Sequence, residues 1–175
     1  MAAVHPLFPV ALHKFVLMSM FTFGLYDLYW FYKCWDRIKD RSGEDLSPLW
    51  RTFFTVIWAF DLFGRVREHA VERGVKVTWT PAILGTLYLL LNLCGQLSAP
   101  WSLPVFATFM ALVPVARTIA QVNAAASAEE GPNDRYSAWN IAALVVGGPL
   151  LTLALIGHVI GALAADGVRS GTHSI

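Results

Sequence analysis

Four polar residues stand inside apolar stretches of the chain and could carry chemistry: Asp27, Asp61, Asn92 and His158. At membrane depth an ionisable side chain costs a few kcal/mol when it faces lipid. Such groups therefore mark ion paths, proton relays or polar contacts between helices. Asp27 lies in the aromatic run Phe21-Thr-Phe-Gly-Leu-Tyr-Asp-Leu-Tyr-Trp-Phe-Tyr32, shortly before Lys33. Its plainer role is an interfacial carboxylate paired with Lys33 or Arg37. The other is a group buried in a helix bundle that serves a proton or an ion. Asp61 precedes Arg65 by one helical turn, which suits an i,i+4 ion pair. His158, in Gly157-His-Val-Ile-Gly161, is either a relay residue or a neutral imidazole bonded across a close helix contact. Asn92 is the further polar side chain expected deep in the apolar layer.

The remaining candidates are weaker. His69 and Glu72, with Glu68 beside them, have the spacing of two metal ligands on a helix, but a solvated face explains them better. Asn123 and Asn140 suit helix caps. Cys34 and Cys94 have no metal-site spacing and fall near opposite ends of the predicted bundle, too far apart for a disulfide. No Ser-His-Asp order, phosphate-binding glycine loop or zinc-protease helix motif occurs. No catalytic residue, metal or cofactor is expected, and no enzymatic activity. Gly157 and Gly161, continued by Ala165, form a small-residue seam for helix packing, within the chain or in a homo- or hetero-oligomer.

Elements that could hold these residues follow from composition. Of 175 residues, 56% are hydrophobic and 14% charged, against about 25% charged in soluble domains. The reading is an all-α polytopic membrane protein, a single domain over 1–175. Its helices run at about 15–41, 48–73, 79–98, 101–123 and 138–164, with a mobile Gly/Ser-containing tail at 165–175. The N-terminus lacks a basic region and a small-residue cleavage site, so the first helix is expected to stay. From Val77 to Ala116 no residue is charged, enough for two spanning helices and a turn at Ser98–Pro104.

Orientation follows from Lys and Arg. With four crossings and helix 48–73 interfacial or re-entrant, eleven basic residues share one face, among them Lys33, Arg37, Lys39, Arg41, Arg65 and Arg67. Lys14 and Arg169 take the other face, and both termini lie outside. If helix 48–73 also crosses, the asymmetry disappears. That alternative of five crossings draws on a short internal likeness: Ser47-Pro-Leu-Trp50 and Ser137-Ala-Trp-Asn140 each open a helix after a polar stretch, as in inverted repeats.

The segment Phe21–Tyr32 resembles the end of the first membrane helix in DUF4234-like small bacterial membrane proteins. Thr22, Gly24, Tyr26, Tyr29, Trp30 and Tyr32 occupy the places of that family's Thr-x-Gly-x-Tyr-x-x-Tyr-Trp-x-Tyr run. The resemblance covers about residues 14–75. It implies a bacterial inner membrane, no assigned activity, and a hairpin-like layout in which helix 48–73 crosses.

Two functions are expected on these grounds. The first is a non-enzymatic scaffold or accessory subunit whose basic cytoplasmic face meets anionic lipid headgroups of the bilayer. The second is a small transporter or channel subunit using Asp27, Asp61 or His158. A transporter needs a polar cavity where such residues converge; a scaffold needs only packed seams. The net charge of +1 gives no field for nucleic acid.

Overall fold

The computed structural model describes residues 7–98, 100–125 and 133–171, with the backbone alone beyond residue 164. The described residues form helices and connecting turns, with one isolated parallel bridge between Val10 and Asn133. Seven α-helices follow in order: α1 (Leu12–Phe21), α2 (Leu25–Ser42), α3 (Pro48–Phe53), α4 (Thr55–Glu72), α5 (Pro81–Cys94), α6 (Phe109–Ala125) and α7 (Ala138–Gly171). A 3-10 turn, Leu103–Ala107, leads into α6.

The expected first helix, 15–41, is two helices. Phe23 and Gly24 both take positive φ, 54° and 81°. The Gly24 N–H donates to Ser19 O at 3.0 Å and the Thr22 N–H to Met18 O at 3.0 Å, which closes α1 with left-handed residues. Thr22 Oγ1 then accepts the Tyr26 N–H at 2.9 Å and helps to open α2. A phenylalanine in the left-handed region is a strained choice, of the kind found where structure around it over-determines the backbone.

After this turn α2 runs back beside α1. Leu7, ahead of α1, lines one pocket with Ile38, Arg41 and Ser42 at the close of α2. Lys14 therefore lies at the same end of the molecule as Arg41, which corrects its expected place opposite Lys33. Its Nζ donates to Asn133 Oδ1 at 2.8 Å and to Arg135 O at 2.6 Å. Asn123, expected as a cap, instead clamps the N-terminal strap: it accepts the Leu7 N–H at 3.0 Å and donates to Leu7 O at 2.8 Å. The beginning of α1, the ends of α2, α4 and α6, and the start of α7 thus share one basic end.

The expected helix 48–73 is likewise divided, at Phe54, where φ −102° and ψ 45° leave the helical region. Ser47 Oγ accepts the Trp50 N–H at 3.4 Å, with Pro48 in the first turn of α3. Fully buried Trp30, Trp35, Phe15, Phe31 and Phe63 form the core between α1, α2 and α4. Tyr88 packs on Phe31 with ring centroids 5.6 Å apart, and Gly85 leaves room for the Phe60 ring between α4 and α5.

Two helices are long and apolar enough to cross a membrane, by length and composition: Leu103–Ala125, including the 3-10 turn, and Ala138–Ala164. The expectation of four such helices is corrected. The apolar helices α1 and α5 have 10 and 14 residues, below the roughly 20 that a crossing needs. The two long helices differ in setting: 44% of the first is buried inside the fold and only 6% of the second. α7 leans on the bundle where Gly147 meets the Phe21 carbonyl so closely that any Cβ would collide with it. Its outer face carries Ile141, Val145, Leu153, Ile156 and Ile160, all exposed. The helix continues to Gly171 through part of the expected mobile tail 165–175, of which 172–175 lie outside the described residues.

Candidate functional site

The α1–α2 turn leaves a cavity of about 360 Å³ at its tip. Polar groups reach it from four elements: Ser19 of α1, Asp27 of α2, Thr55 of α4, and Tyr88 with Asn92 of α5. Thr108, just ahead of α6, adds another hydroxyl. Phe23, Phe106 and Phe109 form an aromatic wall, and Met20, Leu25, Leu28 and Val105 complete the lining.

Asp27 occupies the first turn of α2, where a carboxylate suits the positive end of the helix. It is only 4% exposed, and among the described residues neither its Oδ1 nor Ser19 Oγ makes a hydrogen bond of normal geometry, although the Ser19 hydroxyl lies within reach of the carboxylate. Among the described residues no Lys, Arg or His lines the cavity. Pairing with Lys33 does not occur, because the Lys33 ammonium binds Asp36 at 3.0 Å. On the opposite wall the Tyr88 hydroxyl is 3.4 Å from Thr55 Oγ1. Asn92 donates its amide to Tyr88 O at 2.8 Å, which fixes its side chain at the rim.

His158 stands behind the wall rather than in it. Its Nδ1 lies 2.9 Å from Ala154 O and its Nε2 3.1 Å from Ser102 Oγ. A carbonyl only accepts, so Nδ1 donates, and in the neutral imidazole Nε2 accepts a hydrogen bond from the Ser102 hydroxyl. The imidazole meets Phe106 edge-on at 5.4 Å, and Phe106 meets Phe23 at 6.2 Å. His158 thereby holds the aromatic wall in place.

Asp61 belongs to a separate network. It accepts from Arg51 at 2.5 Å and from Arg65 at 3.1 Å, while Arg65 also makes a two-pronged bond to Glu44 at 2.8 and 3.0 Å. The Arg51 guanidinium lies between Trp35 and Trp58, 4.4 and 4.1 Å from their ring centroids. The hydrogen bond to Arg65 pulls the Glu44 carboxyl below its ordinary range. At the basic end Arg41 donates to buried His69, whose other nitrogen lies 3.4 Å from Glu72. Burial, then the Arg41 charge, push the His69 pKa below its ordinary 6.5. Lys39 borders a groove with Asp36, Asp40 and Asp45, and Arg67 one with Glu68 and Glu72. Among the described residues no group of three His, Cys, Asp or Glu side chains could hold a metal.

Of the four sequence candidates, the fold brings Asp27 and Asn92 together and leaves Asp61 and His158 outside. Among the described residues nothing lies within 4 Å of a Cβ at Gly157; the close helix contact is at Gly147. Sequence reasoning passed over Ser19, Thr55, Tyr88 and Thr108. One signal was available: Tyr88 and Asn92 stand at i,i+4, on one face of an apolar helix. Compared with family models, with curated proteins and with solved structures, the chain finds no match.

Proposed function

We propose that this chain is a non-enzymatic integral membrane protein that receives a small solute in the chamber around Asp27, as a transporter or channel subunit. One observation carries the reading: a carboxylate 4% exposed, with an oxygen unpartnered among the described residues, lines a cavity of about 360 Å³ in which none of them is cationic. An uncompensated buried carboxylate is a standing cost. A scaffold gains nothing from keeping one, whereas a site whose ligand completes it does.

The membrane arrangement belongs to the same proposal. α6 and α7 cross; α5 with the residues after it forms a hairpin with α6. The α1–α2 hairpin enters from the basic face and returns to it. Gly147, level with the hairpin tip, lies nine residues into α7, or about 14 Å at 1.5 Å per residue, close to half the roughly 30 Å core. Irregular backbone at that depth is tolerated where it lines a cavity, and solute sites of transporters form at such broken helices. The basic face, Lys14 now included, is cytoplasmic by the bias of Lys and Arg. The resemblance of residues 21–32 to DUF4234-like proteins supports a bacterial inner membrane.

A second reading, an accessory subunit that binds anionic lipid and a partner helix, draws on the open face of α7. Thiol accessibility separates the two. In a chain with Cys34 and Cys94 replaced by Ala, Ser19→Cys and Thr55→Cys react with a small water-soluble methanethiosulfonate, and Leu112→Cys, in the dry core, does not. Ser19→Cys and Thr55→Cys as inert as Leu112→Cys would leave the scaffold reading standing.

A further inference from the structure

The chamber's lining also restricts what it can take. Resting on the reading of the chamber as a solute site, we infer that its ligand is a small organic ammonium ion that carries N–H donors and an apolar body. Three observations converge. Among the described residues that line the chamber, Asp27 is the one acid and no Lys, Arg or His stands with it. A bound cation favours the ionised carboxylate, whereas an anion finds no counter-charge among these residues.

The chamber can accept hydrogen bonds as well as donate them, and its carboxylate, when ionised, only accepts. Asp27 Oδ1 has no donor, and the hydroxyl oxygens of Ser19 and Thr55 have lone pairs to offer. An ammonium with two or three N–H groups matches that set, and a charge-assisted bond to a carboxylate is the strong kind. A quaternary ammonium brings the charge without the donors.

The rest of the wall is apolar and aromatic. Phe23 and Phe106 meet edge to face, and His158, anchored on Ser102, backs Phe106. Such rings attract a cation and bury hydrocarbon. A bare metal ion would leave them uncontacted. A hard divalent cation also demands six or more oxygens, several of them from carboxylates, where the chamber has one carboxylate. The cavity of about 360 Å³ lies at the small end of ligand sites, which run from roughly 300 to 1,000 Å³. His158 is a positioning residue here: it acts through Phe106 and touches no ligand.

The test uses the purified full chain in nanodiscs and the thermal unfolding of its tryptophan fluorescence. The probe is phenethylammonium, compared with 2-phenylethanol, phenethyltrimethylammonium, and sodium or potassium chloride. Phenethylammonium raises the Tm saturably in wild type. Its apparent affinity falls about tenfold or more in Asp27→Asn, the loss of one charged hydrogen bond. It falls less in Ser19→Ala and Thr55→Val, which keep the charge and guard against misfolding of the first variant. The trimethyl compound binds more weakly, and the alcohol gives no saturable shift. His158→Leu weakens phenethylammonium but leaves methylammonium unchanged, since only the apolar body meets the wall. An alcohol as effective as the ammonium, or equal responses in wild type and all three chamber variants, overturns the ammonium assignment. A shift that depends on Asp27 but arises from sodium or potassium alone overturns the organic ligand and leaves the solute site intact. Failure of the site itself reads separately, as inert cysteines at positions 19 and 55.

Discussion

Asp61 stands between two arginines on the outer side of α4, and one of those arginines is clamped between Trp35 and Trp58. Asp27 stands at the tip of a helical hairpin with an oxygen that meets no donor. Both aspartates interrupt aromatic, apolar stretches. Around Asp61 the chain supplies each charge with its complement and stacks the result on indole rings, so the network is finished without any partner. Around Asp27 it supplies hydroxyls, an amide and aromatic walls but no cation. A network that is complete in itself holds helices together; one left incomplete beside a cavity has room for a ligand. That contrast, rather than the presence of a buried charge as such, is what the proposed solute site rests on.

The largest effect is expected on the chamber side. Gly147→Leu drives a side chain into the Phe21 carbonyl and lifts α7 from the turn that floors the cavity. A cost of about 3 kcal/mol is expected from such overpacking, read as a lower Tm in detergent and as loss of any Asp27-dependent ligand response. Gly157→Leu meets open space and should change stability by about 1 kcal/mol or less. Equal Tm values for the two variants would show that α7 does not bear on the hairpin.

On the charged side, Arg51→Ala leaves Asp61 with Arg65 alone and empties the slot between Trp35 and Trp58. A loss of about 2 kcal/mol is expected, from two cation–aromatic contacts and one partly exposed ion pair. Arg51→Lys keeps the charge but not the flat guanidinium, so it should recover less than half of that. Thermal unfolding of the three proteins decides this. Full recovery by lysine would mean that charge alone holds the slot.

Much of the framework was legible in the sequence: an all-helical chain, breaks near Ser42-Gly43 and Gly74, and an uncharged stretch from Val77 to Ala116. The hairpin turn was not. The apolar run from Phe15 to Tyr32 has the length and composition of one spanning helix, and periodicity does not register a reversal inside it. Gly24, with Asp27 three residues on, is a stop followed by a start; the aromatic residues around them pointed instead to a membrane interface. That reversal brings Lys14 to the end of the molecule where Arg41 lies and sets Asp27 in a cavity while Lys33 pairs with Asp36. Asp61 was readable because its partner Arg65 lies one turn away. The chamber was not, since Ser19, Asp27, Thr55 and Tyr88 come from four helices that only tertiary packing brings together.

A smaller effect concerns pH at the basic end. His69 is buried neutral, accepting from Arg41, and its pKa in the folded chain lies below the ordinary 6.5. The unfolded chain therefore takes the proton first as pH falls. The stability it contributes is full above about pH 6.5 and is lost as pH drops through the folded value. Wild type should unfold at lower temperature at about pH 5.5 than at about pH 7.5, and His69→Gln, which still accepts from Arg41, should flatten that difference over this window. An undiminished slope in His69→Gln would move the effect to other groups.

The smallest expected change is the sharpest test of the contrast. Asp61→Asn retains one oxygen for an arginine, and Arg65 keeps Glu44 while Arg51 keeps its indoles. In a partly exposed network the loss should be about 1 kcal/mol or less. Asp27→Asn has no ion pair to lose. It removes the cost of an enclosed carboxylate and adds an N–H donor beside Ser19 Oγ, which lacks a partner. Stability in the absence of ligand should therefore hold or rise slightly, even as recognition fails. The two substitutions are chemically identical, so any difference between them reports on surroundings alone. Measured side by side without added ammonium, a Tm lower for Asp27→Asn than for Asp61→Asn would show that Asp27 is part of the framework. The chamber would then be a structural network completed by groups of the chain itself. A Tm at or above wild type, joined to a lost ligand response, separates the two roles: stability surrendered at position 27 for recognition, and recovered when the carboxylate goes.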